Sequence, residues 1–251
     1  MLDLKEKHES ITNPVALTQV MSVEEGSDLR FFEIIRSEGK DYLRVHTLDG
    51  SQVSELEEDA VSFVEGYVAL KGDPTFTKIS YKCSKNAGWV IFALAELKKR
   101  LHLDSLLHGT KEVDVFNAPI NALKEIEDLA FKDNKDFRMP MGFYQMYLGE
   151  NQKPDLEAAF NELREGGFLK EDGTLSVPAA SIITCLANIH STTAVDSYKE
   201  AGEGKVSITK AVYLNCYHSL WLLCPPDDEN QLLITTITAD ELKKDLKSIF
   251  A

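Results

Sequence analysis

Positive charge is scarce in this chain. It carries 27 Lys and Arg against 41 Asp and Glu, a formal net charge of −14. Nucleic acids and anionic membranes need a basic surface to meet their phosphates, so this balance disfavours both as partners. It suits a soluble acidic protein, and would also suit a partner with a basic patch. Long apolar runs are missing as well, and no stretch of about 18 apolar residues predicts a membrane span. The first ten residues, MLDLKEKHES, hold no apolar core, so no secretory leader is expected there and a cytoplasmic location is. Cysteine is sparse. Cys83, Cys185, Cys216 and Cys224 are far apart and sit in apolar runs, which excludes a small disulfide scaffold. They read as buried free thiols in a reducing compartment. Catalytic signatures are absent too: no G-x-S-x-G, Walker A, G-x-G-x-x-G or H-E-x-x-H occurs. No enzymatic activity, cofactor or metal is therefore expected.

What the chain does contain is enough apolar material, 43% over 251 residues, for one large or two small domains. The last stretch, residues 205–251, sets the pattern. Runs at 206–214, 220–223 and 232–238 are rich in β-branched and large apolar residues and predict strands. Pro225-Pro226-Asp227-Asp228-Glu229-Asn230 interrupts them as an exposed turn, making 206–238 an antiparallel meander. Thr238 and Glu241 have the spacing of a capping box, and Leu242, Leu246, Ile249 and Phe250 share one face of the helix that follows.

Earlier in the chain, the apolar positions at 15–23 predict a short helix. Residues 29–36 and 42–47 flank a Gly-containing loop and predict a hairpin. An acidic segment around Leu56, Val61, Phe63 and Val64 reads as a short helix, without the ligand spacing of a calcium loop. A strand over 75–83 is followed by Asn86-Ala87-Gly88, read as a break, and then by a helix over 89–102. His102 and His108 read as surface residues and not as a zinc pair. Residues 155–178 read as a helix, a Gly166-Gly167 stop and a small hairpin, and an apolar helix follows at 179–189. Residues 191–205, rich in Ser and Thr and ending in AGEGK, read as an exposed linker. The domain expectation is an N-terminal half, 1–112, and a C-terminal half, 113–251, or a single compact domain.

The helix, turn and wing at 155–178 permit a winged-helix regulator as an alternative. The outward residues Asp155, Glu157, Glu162 and Glu165 are acidic, and DNA would reject them. Cys185 with His190, and Cys216 with His218, read as core thiols near histidines and not as reactive couples. Large aromatics gather in the second half. Phe143, Tyr144, Tyr217 and Trp221 are the candidate partner-binding residues, because aromatic rings dominate interface hot spots.

One family matches this order of elements. The carriers are Phe160, Leu163, Gly167, Phe168, Leu169, Asp172, Gly173, Leu175, Val177 and Leu186. They continue with Ala211-Val212-Tyr213-Leu214, Leu220 to Leu223, Ile234, Ile237, Leu242, Leu246 and Ile249. Over roughly residues 140–251 the chain resembles the EspG-type chaperones of type VII (ESX) secretion systems, or a Firmicute family of unknown function associated with them. The resemblance implies an α+β fold with an antiparallel sheet, peripheral helices and two pseudo-symmetric halves. It also implies a non-enzymatic cytoplasmic chaperone or adaptor for a secreted helical-hairpin partner. An immunity or structural interaction protein is the remaining alternative.

Overall fold

The computed structural model describes residues 11, 14–24, 29–47, 50–68, 78–109, 114–123, 140–142, 144, 154–216, 219–224 and 231–251. The fold is α+β. Its strands are β1 (Ala16–Glu24), β2 (Arg30–Ser37), β3 (Lys40–Thr47), β4 (Gly50–Glu55), β5 (Ser80–Ser84), β6 (Ser191–Glu200), β7 (Val206–Asn215), β8 (Leu220–Cys224) and β9 (Gln231–Ile237). Its helices are α1 (Ala60–Val68), α2 (Lys85–His108), α3 (Leu156–Glu165), α4 (Val177–Ala187) and α5 (Ala239–Phe250).

The chain divides into two compact units. The first joins Met1–Thr75, Ser191–Cys224 and Ile237–Ala251, and the second joins Phe76–His190 and Pro225–Thr236. This differs from the expected cut at 112/113. Strand β1 pairs with β6 in the first unit, so its three segments come from distant parts of the sequence.

In the first unit the strands lie in the order β4-β3-β2-β1-β6-β7-β8, with antiparallel pairing from β4 through to β8. The central pair is β1 with β6, with Val20 opposite Val195. Both valines are fully buried, and so are Thr18, Ser22, Thr193 and Ser197 around them. The two strands carry the same T-x-V-x-S pattern, at 18–22 and 193–197, and antiparallel pairing sets Thr against Ser at both ends. Thr18 donates to Ser197 Oγ at 3.1 Å, and Ser197 Oγ lies 3.5 Å from the Ile249 carbonyl of α5. Thr193 donates to the Tyr67 carbonyl of α1 at 3.3 Å. A hydroxyl has one proton, so the 3.2 Å contact between Ser22 and Thr193 must use the Ser22 proton. Buried hydroxyls that would be costly alone are thereby satisfied.

Helices α1 and α5 pack over this seam. They join Val20, Phe32, Ile34, Val195 and Tyr213 in one core through Val64, Val68, Leu242, Leu246 and Ile249. Helix α5 begins with the expected capping box of Thr238 and Glu241. The β2–β3 hairpin turns at Glu38 and Gly39, both at positive φ (51° and 78°), the two-residue turn that matches strand twist.

Two expectations change here. The helix expected at 15–23 falls on strand β1, Ala16–Glu24, and the exposed linker expected at 191–205 begins as strand β6, Ser191–Glu200, which is buried over Thr192–Val195 and at Ser197. In both cases a face of small hydroxyls alternates with other residues, a period of 2 that counting apolar positions alone misses.

The second unit is built on α2. Residues Ala87 to Leu97 of this 24-residue helix are all buried, and all but Glu96 are apolar or glycine. Helices α3 and α4 and strand β5 contact it. The expected break at residues 86–88 lies inside the helix. Gly88 is needed there, because a Cβ would stand 2.8 Å from Leu232 Cδ2 and 3.4 Å from Tyr144 Oη. Ser84 caps α2, accepting from Ala87 N–H, and donates through its own N–H and hydroxyl to the Glu162 carboxylate of α3. Strand β9 pairs antiparallel with β5. The β7–β8 part of the expected meander is present, and the turn at 225–230 lies outside the described residues. The wing after α3 is a bridge between Leu169 and Leu175.

Thr193→Val keeps shape but strands the Ser22 hydroxyl. It should lower unfolding free energy by about 1–3 kcal/mol in urea titrations, and adding Ser22→Ala should cost less than the two single changes summed. Strict additivity would show that the seam hydroxyls act independently.

Candidate functional site

Two of the four aromatic residues expected to bind a partner are buried. Tyr144 and Trp221 are each about 1% exposed. Their polar ends are satisfied internally, Tyr144 Oη by the Lys85 carbonyl and Trp221 Nε1 by Ser219 Oγ at 2.8 Å. The Tyr144 ring packs on Phe92, with centroids 5.0 Å apart. These two rings are core, which corrects the expectation, and a docking protein cannot reach them. Phe143 and Tyr217 lie outside the described residues. His102 and His108 are exposed, and none of the four cysteines forms a disulfide. Among the described residues no group of three His, Cys, Asp or Glu could hold a metal ion, and no helix is long and apolar enough to cross a membrane.

Exposed apolar side chains gather elsewhere. On the last two turns of α2, Leu103, Leu106 and Leu107 are 45%, 70% and 75% exposed. Their spacing of i, i+3 and i+4 puts them side by side on one helical face. At about 100° per residue this face lies opposite the buried Leu94 and Leu97 and the half-buried Leu101. The helix therefore carries two leucine stripes, and only the inner one is expected from the sequence. The signal for the other was present in L-H-L-D-S-L-L-H, where the leucines change phase within one helix.

The outer turns are held in shape without deep packing. Gly109 ends the helix in the left-handed conformation, with φ 66°, and its N–H reaches the Ser105 carbonyl at 2.9 Å. Arg100 is tied to Glu96, a buried carboxylate that also accepts from Met141 N–H at 2.8 Å. Lys98 stands 4.0 Å above the Phe116 ring.

The first unit holds a separate polar cluster. Glu33, buried on the sheet face opposite α1 and α5, accepts from Gln19 at 3.0 Å, pairs with Arg44, and lies 3.1 Å from His46 Nε2. Burial pushes this carboxyl up. The hydrogen bonds from Gln19, His46 and Arg44, with the Arg44 charge, outweigh it and hold the group below its ordinary value. A small cavity of about 170 Å³ lies beside Arg44, walled by Ile11, Pro14, Leu17, Ile35 and Val53. Arg44 is already neutralised by Glu33, so the cluster supports the fold and presents no activated nucleophile or base. Cys83 is equally unsuited to chemistry, since burial and the nearby Glu162 charge push its thiol up to about 12.

No protein-family model matches the sequence, and no curated protein matches it. Among solved structures, the chain is similar to the Mycobacterium tuberculosis type VII secretion system chaperone EspG5, solved in complex with the PE25–PPE41 dimer. The TM-score is 0.49 at 10% identity, over 98% of this chain and 76% of that one.

A depressed carboxyl contributes stability above its unfolded pKa and loses it as pH falls through its folded value. Glu33→Gln should therefore cost about 1–3 kcal/mol at pH 7, and urea titrations should show the gap closing below pH 4.5, the ordinary value for Glu. A gap independent of pH would mean that the charge of Glu33 contributes nothing. With its thiol raised, Cys83 should stay unreacted toward a thiol-specific reagent at pH 8 and react once the protein is unfolded; rapid native labelling would contradict its burial.

Proposed function

We propose that this protein is a non-enzymatic cytoplasmic binding module, a chaperone or adaptor that keeps a secreted helical partner soluble before export. The observation that carries the reading is the outer leucine stripe of α2. Three leucines on a capped helix face form an apolar ridge suited to the groove between two helices of a partner. Exposed apolar surface of this kind marks interaction sites on soluble proteins. The resemblance of residues 140–251 to EspG-type chaperones supports the same reading and supplies the partner class, a helical-hairpin protein of a type VII secretion system. The acidic net charge agrees with a role in keeping another chain in solution.

Co-expression with the secreted helical pair encoded nearest to it tests this. A soluble complex should elute as one species. The double change Leu106→Asp with Leu107→Asp should abolish it while the circular dichroism spectrum and urea midpoint stay unchanged, since surface changes alter stability by only about 0.5 kcal/mol. A folded wild-type protein that leaves the pair insoluble would count against the reading.

A further inference from the structure

The sheet face of the first unit that looks away from α1 and α5 carries the cavity of about 170 Å³. Leu17, Ile35, Arg44 and Val53 form its floor, one residue from each of β1 to β4, and the strand registers set all four on that face. Ile11 and Pro14, from the segment leading into β1, wall it. Ile35 and Val53 are buried while Pro14 is exposed, so the space runs from the interior to the surface. Arg44 is the only polar residue among these six. It gives Nε and Nη2 to Glu33, and among the described residues the two N–H groups of Nη1 find no acceptor. Both Glu33 oxygens are already engaged, Oε1 by Gln19 and Oε2 by Arg44 and His46.

From this arrangement we infer that the cavity binds a small neutral molecule, apolar over most of its surface, with one carbonyl-type acceptor that takes a hydrogen bond from Arg44 Nη1. An apolar cavity of about 150 Å³ engineered into another protein stays dry and takes up benzene, so this space suits a guest of about six to eight heavy atoms. Five aliphatic walls hold the body of the guest, and one directed donor fixes its orientation. Charge excludes ionic guests. Glu33 neutralises Arg44, so no net charge offsets the desolvation of a carboxylate brought in from water. The Glu33 carboxylate, held ionised by its hydrogen bonds, repels a second one. A cationic guest would meet Arg44 itself. A neutral carbonyl loses less hydration than either ion and gains a charge-assisted hydrogen bond. The cavity belongs to the first unit and the leucine stripe to the second, so the inference stands apart from the proposed function.

Cyclopentanone, methylenecyclopentane and cyclopentanecarboxylate test it on the full chain by NMR titration. The three share a ring and differ in acceptor and charge. Cyclopentanone should bind at least about tenfold more tightly than either of the others, the worth of one hydrogen bond to a charged donor. Its chemical-shift changes should centre on Leu17, Ile35 and Val53. Val53→Phe should fill the space and abolish binding; Leu17→Phe, at a half-buried position, gives the same reading where the first variant fails to fold. Glu33→Met with Arg44→Met removes the donor without stranding its carboxylate, and should bring cyclopentanone down to the level of methylenecyclopentane. No binding of cyclopentanone, equal binding of the ketone and the alkene, tightest binding of the carboxylate, or a ketone preference that survives the double replacement would each overturn the inference. So would shift changes scattered over the surface and untouched by the phenylalanine variants. None of these outcomes bears on capture of the co-expressed pair through the leucines.

Discussion

The first unit depends on a buried seam of hydroxyls between β1 and β6. Thr18, Ser22, Thr193 and Ser197 are all nearly inaccessible, and each finds its partner across the seam. This sets the register with little tolerance. A one-residue slip of β1 would turn Gln19 and Met21 toward α1 and α5 and leave Thr18 and Ser22 facing the wrong side. The two helices are tied to the same seam, since the carbonyls of Tyr67 and Ile249 lie within reach of Thr193 and Ser197. Strand order, helix placement and polar satisfaction thus agree at a single place, and the pairing joins residues 179 apart in sequence. Contacts of that separation make closure of the first unit slow relative to its local hairpins.

The same seam explains what could and could not be read from the sequence. The closing helix with its capping box, the β2–β3 hairpin, the helix and wing at 156–175 and the β7–β8 pair all announce themselves through apolar periodicity or turn residues. Strands β1 and β6 do not. Their inward face is half hydroxyl, and Ser and Thr look like loop residues until a partner for each is known. Yet T-x-V-x-S at 18–22 and 193–197 was visible as a repeat, and a repeat of small polar residues around a valine is a pairing signal. In the sheet β2 lies outside β1, and β7 outside β6.

Tyr144 and Trp221 are core for a reason of another kind. Ring size says that a residue will dominate either a core or an interface, and the choice depends on whether its polar atom can be satisfied indoors. Tyr144 and Trp221 each have an internal acceptor within hydrogen-bond reach, so burial costs them nothing in lost hydration. Leucine has no such atom to betray its surroundings. Only the phase of the helix separates Leu97 and Leu101 from Leu103, Leu106 and Leu107, and the phase becomes readable once α2 is known to run unbroken from Lys85 to His108.

That continuity bears on binding. A helix end with little packing around it tends to fray, because its last carbonyls lack partners and its turns gain little from burial. Here the Gly109 cap closes the terminus, and the Glu96–Arg100 pair anchors the emerging turns to a carboxylate that also holds the start of another segment at Met141. The exposed leucines are consequently held in a fixed order on the helix surface. Ordering a side chain or segment on association costs free energy, and a ridge already helical avoids most of that cost on this side of the contact. The buried half of α2 stabilises the unit, and the same helix carries that rigidity outward to Leu103, Leu106 and Leu107.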